Sequence, residues 1–114
     1  MITEDYCSYE VTKLLKEKGF DELVTGLNKL FFKEGEKPVL KITHQKAMKW
    51  LREVHNIFIV IEPHMYDYIN EKNSSYVASL WQGDNYYENV TSKDYPTYEE
   101  AIEAILKFSL ENLI

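Results

Sequence analysis

Apolar residues in the middle of the chain fall at Ala47, Trp50, Leu51 and Val54. This is the i, i+3, i+4, i+7 spacing that gathers side chains onto one face of an α-helix. The stretch "THQKAMKWLREVHN" is therefore predicted to be helical, with Trp50 in its buried stripe. Thr43 can accept a hydrogen bond from a free backbone N–H of the first turn. Asn56 can close the other end in the left-handed conformation. Two more stretches begin in the same way. "SYEVTKLLKEKG" starts at Ser8, aligns Cys7 or Val11 with Leu14 and Leu15, and stops at Gly19. "TYEEAIEAILKFSLENL" starts at Thr97, and Thr97-x-x-Glu100 after Pro96 forms a capping box. Its apolar positions, Ala101, Ile102, Ala104, Ile105, Leu106 and Phe108, make a broad face, so this helix is predicted to be the best covered.

Between the first two helices, "GLNKLFFKEGEKPVLKI" reads as a hairpin with arms Leu27–Phe32 and Val39–Ile42 about the turn "KEGEK". Pro38 places the start of the second arm at an edge. After the second helix, "IFIVI" is apolar at every position, as in a strand covered on both faces. "SSYVASLWQ" alternates more loosely and ends at the turn signal "GDN". The predicted order is helix-strand-strand-helix-strand-strand-helix. That order makes residues 1–114 a single α+β domain, with helices packed on a small antiparallel or mixed sheet.

A chain of 114 residues can bury a core without disulfides or metals. Its one cysteine, Cys7, makes no internal disulfide. "MITEDYCSYE" is acidic where an export signal is basic and then apolar. The longest apolar run, Ile57 to Ile61, is far short of the ~20 residues of a membrane helix. These features predict a cytoplasmic protein with no membrane association. The net charge of −6 is unevenly spread. Residues 1–55 hold ten Lys/Arg against nine Asp/Glu, whereas residues 56–114 hold three against ten. That balance argues against direct nucleic-acid binding, which draws its affinity from Lys and Arg on phosphates. It suits a basic partner.

Three blocks, "YE…LLKEKGFDE", "T…A.KWLREVHNI.I.I" and "YPTYEEAIEAIL", occur in that order over most of the chain. Together they resemble a group of small uncharacterised proteins from gut Bacteroidetes genomes and their mobile elements. The W-L-R-E-x-H block at Trp50–His55 and the T-Y-E-E-A block at Thr97–Ala101 carry the resemblance. It implies no activity and transfers no catalytic residue.

The candidate chemistry is sparse. His44 and His55 are eleven residues apart, which on one helix separates them by ~16 Å. His55 and His64 are nine apart, an odd spacing that puts them on opposite faces of a strand. Zinc needs three or four ligands and the only thiol, Cys7, is on the first predicted helix, so no metal is expected. The acidic residues before Cys7 oppose thiolate formation, which makes it a core cysteine. The histidines are expected to face solvent or cap helices. Glu62 and His64 point the same way on a strand, but no nucleophile accompanies them, and Pro63 marks a strand end. Glycines at positions 19, 26, 35 and 83 form no phosphate loop. Lys46, Lys49 and Arg52 read as a solvated helix face.

No catalysis and no cofactor are therefore expected. The informative excess is aromatic. Tyr66, Tyr68, Tyr76, Trp81, Tyr86 and Tyr87 form the candidate interface, because tyrosine suits surfaces that are apolar on one side and wet on the other. The expected function is that of a small non-enzymatic interaction or accessory protein whose partner is another protein or a second copy of itself. Two alternatives are an acidic mimic of nucleic acid that inhibits a DNA-binding protein, and a small-ligand binder using the aromatic cluster.

Overall fold

The computed structural model describes residues 6–20, 30–31, 39–64 and 75–114. Helix α1 (Tyr9–Glu17) starts at Ser8, whose hydroxyl accepts from the Val11 amide at 3.2 Å. It ends where Gly19 adopts φ 103°, a left-handed geometry that costs glycine little. The Phe20 amide then donates to the Leu15 carbonyl and the Gly19 amide to that of Lys16. This pair of bonds is a Schellman stop. Val11, Thr12 and Leu15 form its buried face, and the Thr12 hydroxyl donates to the Ser8 carbonyl at 2.8 Å.

Strands β1 (Leu30–Phe31) and β2 (Val39–Leu40) pair antiparallel over two residues. The predicted hairpin arms are longer, but the rest of the first arm and the "KEGEK" turn lie outside the described residues. Ile42 is not in a strand. Its carbonyl accepts from the Cys7 amide at 2.7 Å, and Tyr6 forms an isolated bridge with Thr43. The residues that enter α1 are thereby fastened beside those that enter α2.

Helix α2 (His44–His55) is capped by Thr43 and closed by Asn56 at φ 58°, as its sequence predicts. Its buried residues are His44, Ala47 and Leu51. The stripe predicted from spacing alone is thus rotated. Val54 is 59 % exposed, and Trp50 is half-buried against the rings of Phe20 (5.6 Å) and His55 (4.6 Å).

Three strands follow where two were expected. β3 (Ile57–His64), β4 (Ser75–Gln82) and β5 (Asn85–Tyr87) form an antiparallel sheet in the order β3-β4-β5. The two-residue turn Gly83-Asp84 joins β4 to β5, with Gly83 at φ 61°. Glycine in the first position is what a type II′ hairpin turn requires. Positive φ at Asn89 and Ser92 then folds the chain back. The Asn89 amide donates to the buried Ser79 hydroxyl, the Val90 amide to the Ala78 carbonyl, and Tyr95 exchanges two 2.8 Å bonds with Tyr76. This edge of β4 is therefore paired along most of its length.

Helix α3 (Tyr98–Asn112) is capped by Thr97, whose Oγ1 accepts from the Glu100 amide at 3.1 Å. It buries Ala101, Ile102, Ile105, Leu106, Ser109 and Leu110 and packs on β3, β4, α1 and α2. The core lies between this helix, Leu15 of α1, Leu51 of α2, and Ile57, Ala78 and Leu80 of the sheet. The result is a small α+β domain with helices on one face of the sheet. The other face is more open than the uniformly apolar "IFIVI" suggests. Ile57 is fully buried, whereas Phe58, its neighbour on the opposite face, is 40 % exposed. No described helix is long and apolar enough to cross a membrane.

Candidate functional site

Among the described residues, two places bring together side chains with chemical potential. The first is in the helical layer. Because Tyr6–Cys7 runs beside Ile42–Thr43, Cys7 and His44 become neighbours, and α3 delivers Glu103 to both. His44 Nε2 lies 2.9 Å from Glu103 Oε1, and the Ser8 amide donates to the same oxygen at 2.7 Å. Ser8 is the N-cap of α1 and His44 opens α2, so one carboxylate sits at the start of two helices. In a capping box a local glutamate serves the N-cap amide. Here a residue from the far end of the chain does so. The positive ends of the two helix dipoles also favour a negative charge at this point.

These contacts set the protonation states. Burial alone would raise the Glu103 carboxyl, but hydrogen bonds from His44 and Ser8, with the nearby imidazole, outweigh it and hold the group below its ordinary value. An ionised carboxylate only accepts, so Nε2 of His44 is the donor in this contact. Nδ1 of His44 is buried and has no hydrogen-bond partner. Cys7 is 1 % exposed, and its thiol makes only a long 3.8 Å contact with the Thr43 carbonyl. Burial, followed by the Glu103 charge, pushes its pKa up to about 12. A thiol this hard to ionise is a poor nucleophile.

The shift has a measurable consequence. The unfolded thiol ionises near 9.0 and the folded one near 12, so in that interval the unfolded chain holds fewer protons. Stability attributable to Cys7 is complete below the lower value and falls as pH rises through the window. Denaturant midpoints measured across this range should drop more steeply for the native protein than for Cys7→Ala. Parallel curves would show that the thiol does not titrate as the structure requires.

Beside this cluster lies a shallow cleft of about 530 Å³, lined by Tyr6, Ser8, His44, Tyr95, Glu99, Glu100 and Glu103. Its size is within the range of small-molecule sites. The Cys7 thiol is not part of the lining.

The second place is the outer face of the sheet. Phe58 pairs with Trp81 across β3-β4, and Trp81 with Tyr86 across β4-β5. Directly opposed residues share a face, so the three rings form one row across the sheet. Phe58, Trp81 and Tyr86 are 40 %, 43 % and 42 % exposed, and the rings of Trp81 and Tyr86 are 4.9 Å apart. Glu62 lies on the same face of β3 as Phe58, and Asp84 is in the adjacent turn; both are exposed. None of the three strands contains lysine or arginine.

The aromatic residues singled out from the sequence separate on this framework. Trp81 and Tyr86 join the row, and Phe58 belongs with them although its sequence context reads as core. Tyr87 is exposed but opposite Leu80, on the other face. Tyr76 is half-buried, edge-to-face with Tyr98 at 6.0 Å. Tyr66 and Tyr68 lie outside the described residues. The concave cleft is lined by a different pair, Tyr6 and Tyr95. His55 meets Trp50 edge-to-face, Glu62 and Pro63 are exposed, and Lys46, Lys49 and Arg52 are on the solvated face of α2. His44 departs most from expectation. It is 4 % exposed rather than solvent-facing, because α2 turns that side toward α3.

No family model, curated protein or solved structure matches this chain.

Proposed function

We propose that this domain is a non-catalytic binding module that holds a basic segment of a partner protein on the outer face of β3-β4-β5. The exposed row Phe58–Trp81–Tyr86 carries this reading. Three large rings held in register on a sheet offer rigid contact area with little side-chain entropy to lose. Their π-faces attract lysine and arginine, most strongly at tryptophan. Glu62 and Asp84 add negative charge beside the row, and the second half of the chain is acidic as a whole. An accessory role of this kind is also compatible with the resemblance to small proteins of Bacteroidetes mobile elements.

Affinity capture from the native host, with mass spectrometry, tests the assignment. The native domain should retain a protein that the double variant Trp81→Ser, Tyr86→Ser loses, that Lys46→Glu, Lys49→Glu keeps, and that added salt weakens. Circular dichroism should show both variants folded. Capture that survives the first pair but fails with the second moves the functional face to α2 and ends this reading.

A further inference from the structure

We propose that Cys7, His44 and Glu103 bind a divalent transition-metal ion of the zinc class. Their donor atoms, one from each residue, all lie within 4.8 Å of one another. The site is in the helical layer, independent of the aromatic row.

The residue types fit the ion. Thiolate, imidazole and carboxylate are the three ligands zinc takes, at ~2.0–2.3 Å, and three protein ligands with a fourth position open to water is an arrangement that zinc adopts outside its closed, purely structural sites. Tetrahedral geometry at those bond lengths separates donors by about 3.3–3.6 Å. The 2.9 Å pair, His44 Nε2 and Glu103 Oε1, would open slightly, and no pair, all being within 4.8 Å, would need to close by more than about 1.2–1.5 Å, a movement within reach of side-chain rotation. Glu103 and His44 also line the cleft, which gives the ion an entry path and a water for its fourth position.

The charges fit as well. On ligation the Cys7 thiol releases its proton to solvent, and the proton that His44 holds on Nε2 moves to Nδ1, which frees Nε2 for the ion. One thiolate and one carboxylate then neutralise a dication, so the buried site carries no net charge. The thiol makes a single long contact, 3.8 Å to the Thr43 carbonyl, so no strong hydrogen bond has to be broken for it to turn toward an ion. The sequence argues against a metal because its histidines are far apart and its cysteine stands alone. The fold places that cysteine beside one histidine and adds a carboxylate.

Cobalt(II), which takes zinc's place and reports its ligands, is the probe. Titrating the full chain with cobalt(II) under reducing conditions should give a 1:1 complex with tetrahedral visible bands and a near-ultraviolet thiolate-to-metal band. Zinc should displace it and should raise the melting temperature of the native protein. In Cys7→Ser the thiolate band should vanish. In Glu103→Gln, affinity should fall by at least the roughly 10–100-fold that an outer-shell contact is worth. No saturable cobalt binding by the folded native protein, or binding without the thiolate band, overturns the proposal whether or not the variants fold. A band that persists unchanged in folded His44→Gln overturns the assignment of His44.

Discussion

Leu51→Ala is expected to destabilise the domain by about 2–5 kcal/mol in denaturant titration, the usual cost of emptying a buried leucine site. Leu51 is fully buried between α2 and the rest of the core. Val54→Ala, one turn away on the same helix, is expected to change stability by less than about 0.5 kcal/mol, because its side chain is already in water. Trp50→Ala should fall between them, since the ring is only half-buried and packs on Phe20 and His55. The three together locate the buried face of α2. Equal losses at Leu51 and Val54 would place it where spacing alone does, and the rotation toward His44 would be wrong.

The second large effect is expected at Glu103. Glu103→Ala removes the acceptor for His44 Nε2 and for the Ser8 amide. Leaving a buried donor unpaired costs about 1–3 kcal/mol, and the imidazole bears most of it. The loss should depend on pH in a defined direction. The folded carboxyl titrates below its ordinary value of 4.5, so its contribution is complete above that value and disappears as pH falls through the lowered one. Stability curves of native and variant protein should therefore be furthest apart near neutrality and approach each other in acid. A separation that stays constant on acidification would mean that the charge of Glu103 contributes nothing.

Local signals in the sequence were reliable where the physics is local. Ser8, Thr43 and Thr97 cap their helices, Asn56 and Gly19 close theirs, and the breadth of the α3 apolar face matches its burial on four neighbouring elements. Errors arose where burial depends on a distant neighbour. Trp50 and Val54 are apolar at helical spacing, but the face of α2 is chosen by α3 and the sheet, and they select His44, Ala47 and Leu51. "IFIVI" gave no hint that Phe58 would stand 40 % exposed while Ile57 is fully buried. β5 is a three-residue strand of asparagine and tyrosine that no hydrophobic run announces. The Cys7–His44–Glu103 cluster was hidden for the same reason. Its members are separated by dozens of residues, and the backbone bond from Cys7 to Ile42 that unites two of them follows from no side-chain pattern. Serine, threonine and asparagine at helix ends could be read one residue at a time, whereas this cluster could be found only from the fold.

The central position of α3 also governs when the domain can form. Synthesis makes this helix last among the described elements, yet it fills the space against which α1, α2, β3 and β4 all pack. Until Ile102, Ile105, Leu106 and Leu110 have been made, Leu15, Leu51, Ile57 and Leu80 lack the helix that completes their cover. A nascent chain that stops before α3 therefore holds two helices and a sheet with their apolar sides uncovered, in a state suited to chaperones and prone to association. Contacts of such sequence separation form late and slowly. Closure of this core thus waits for α3, in whatever order the earlier elements form.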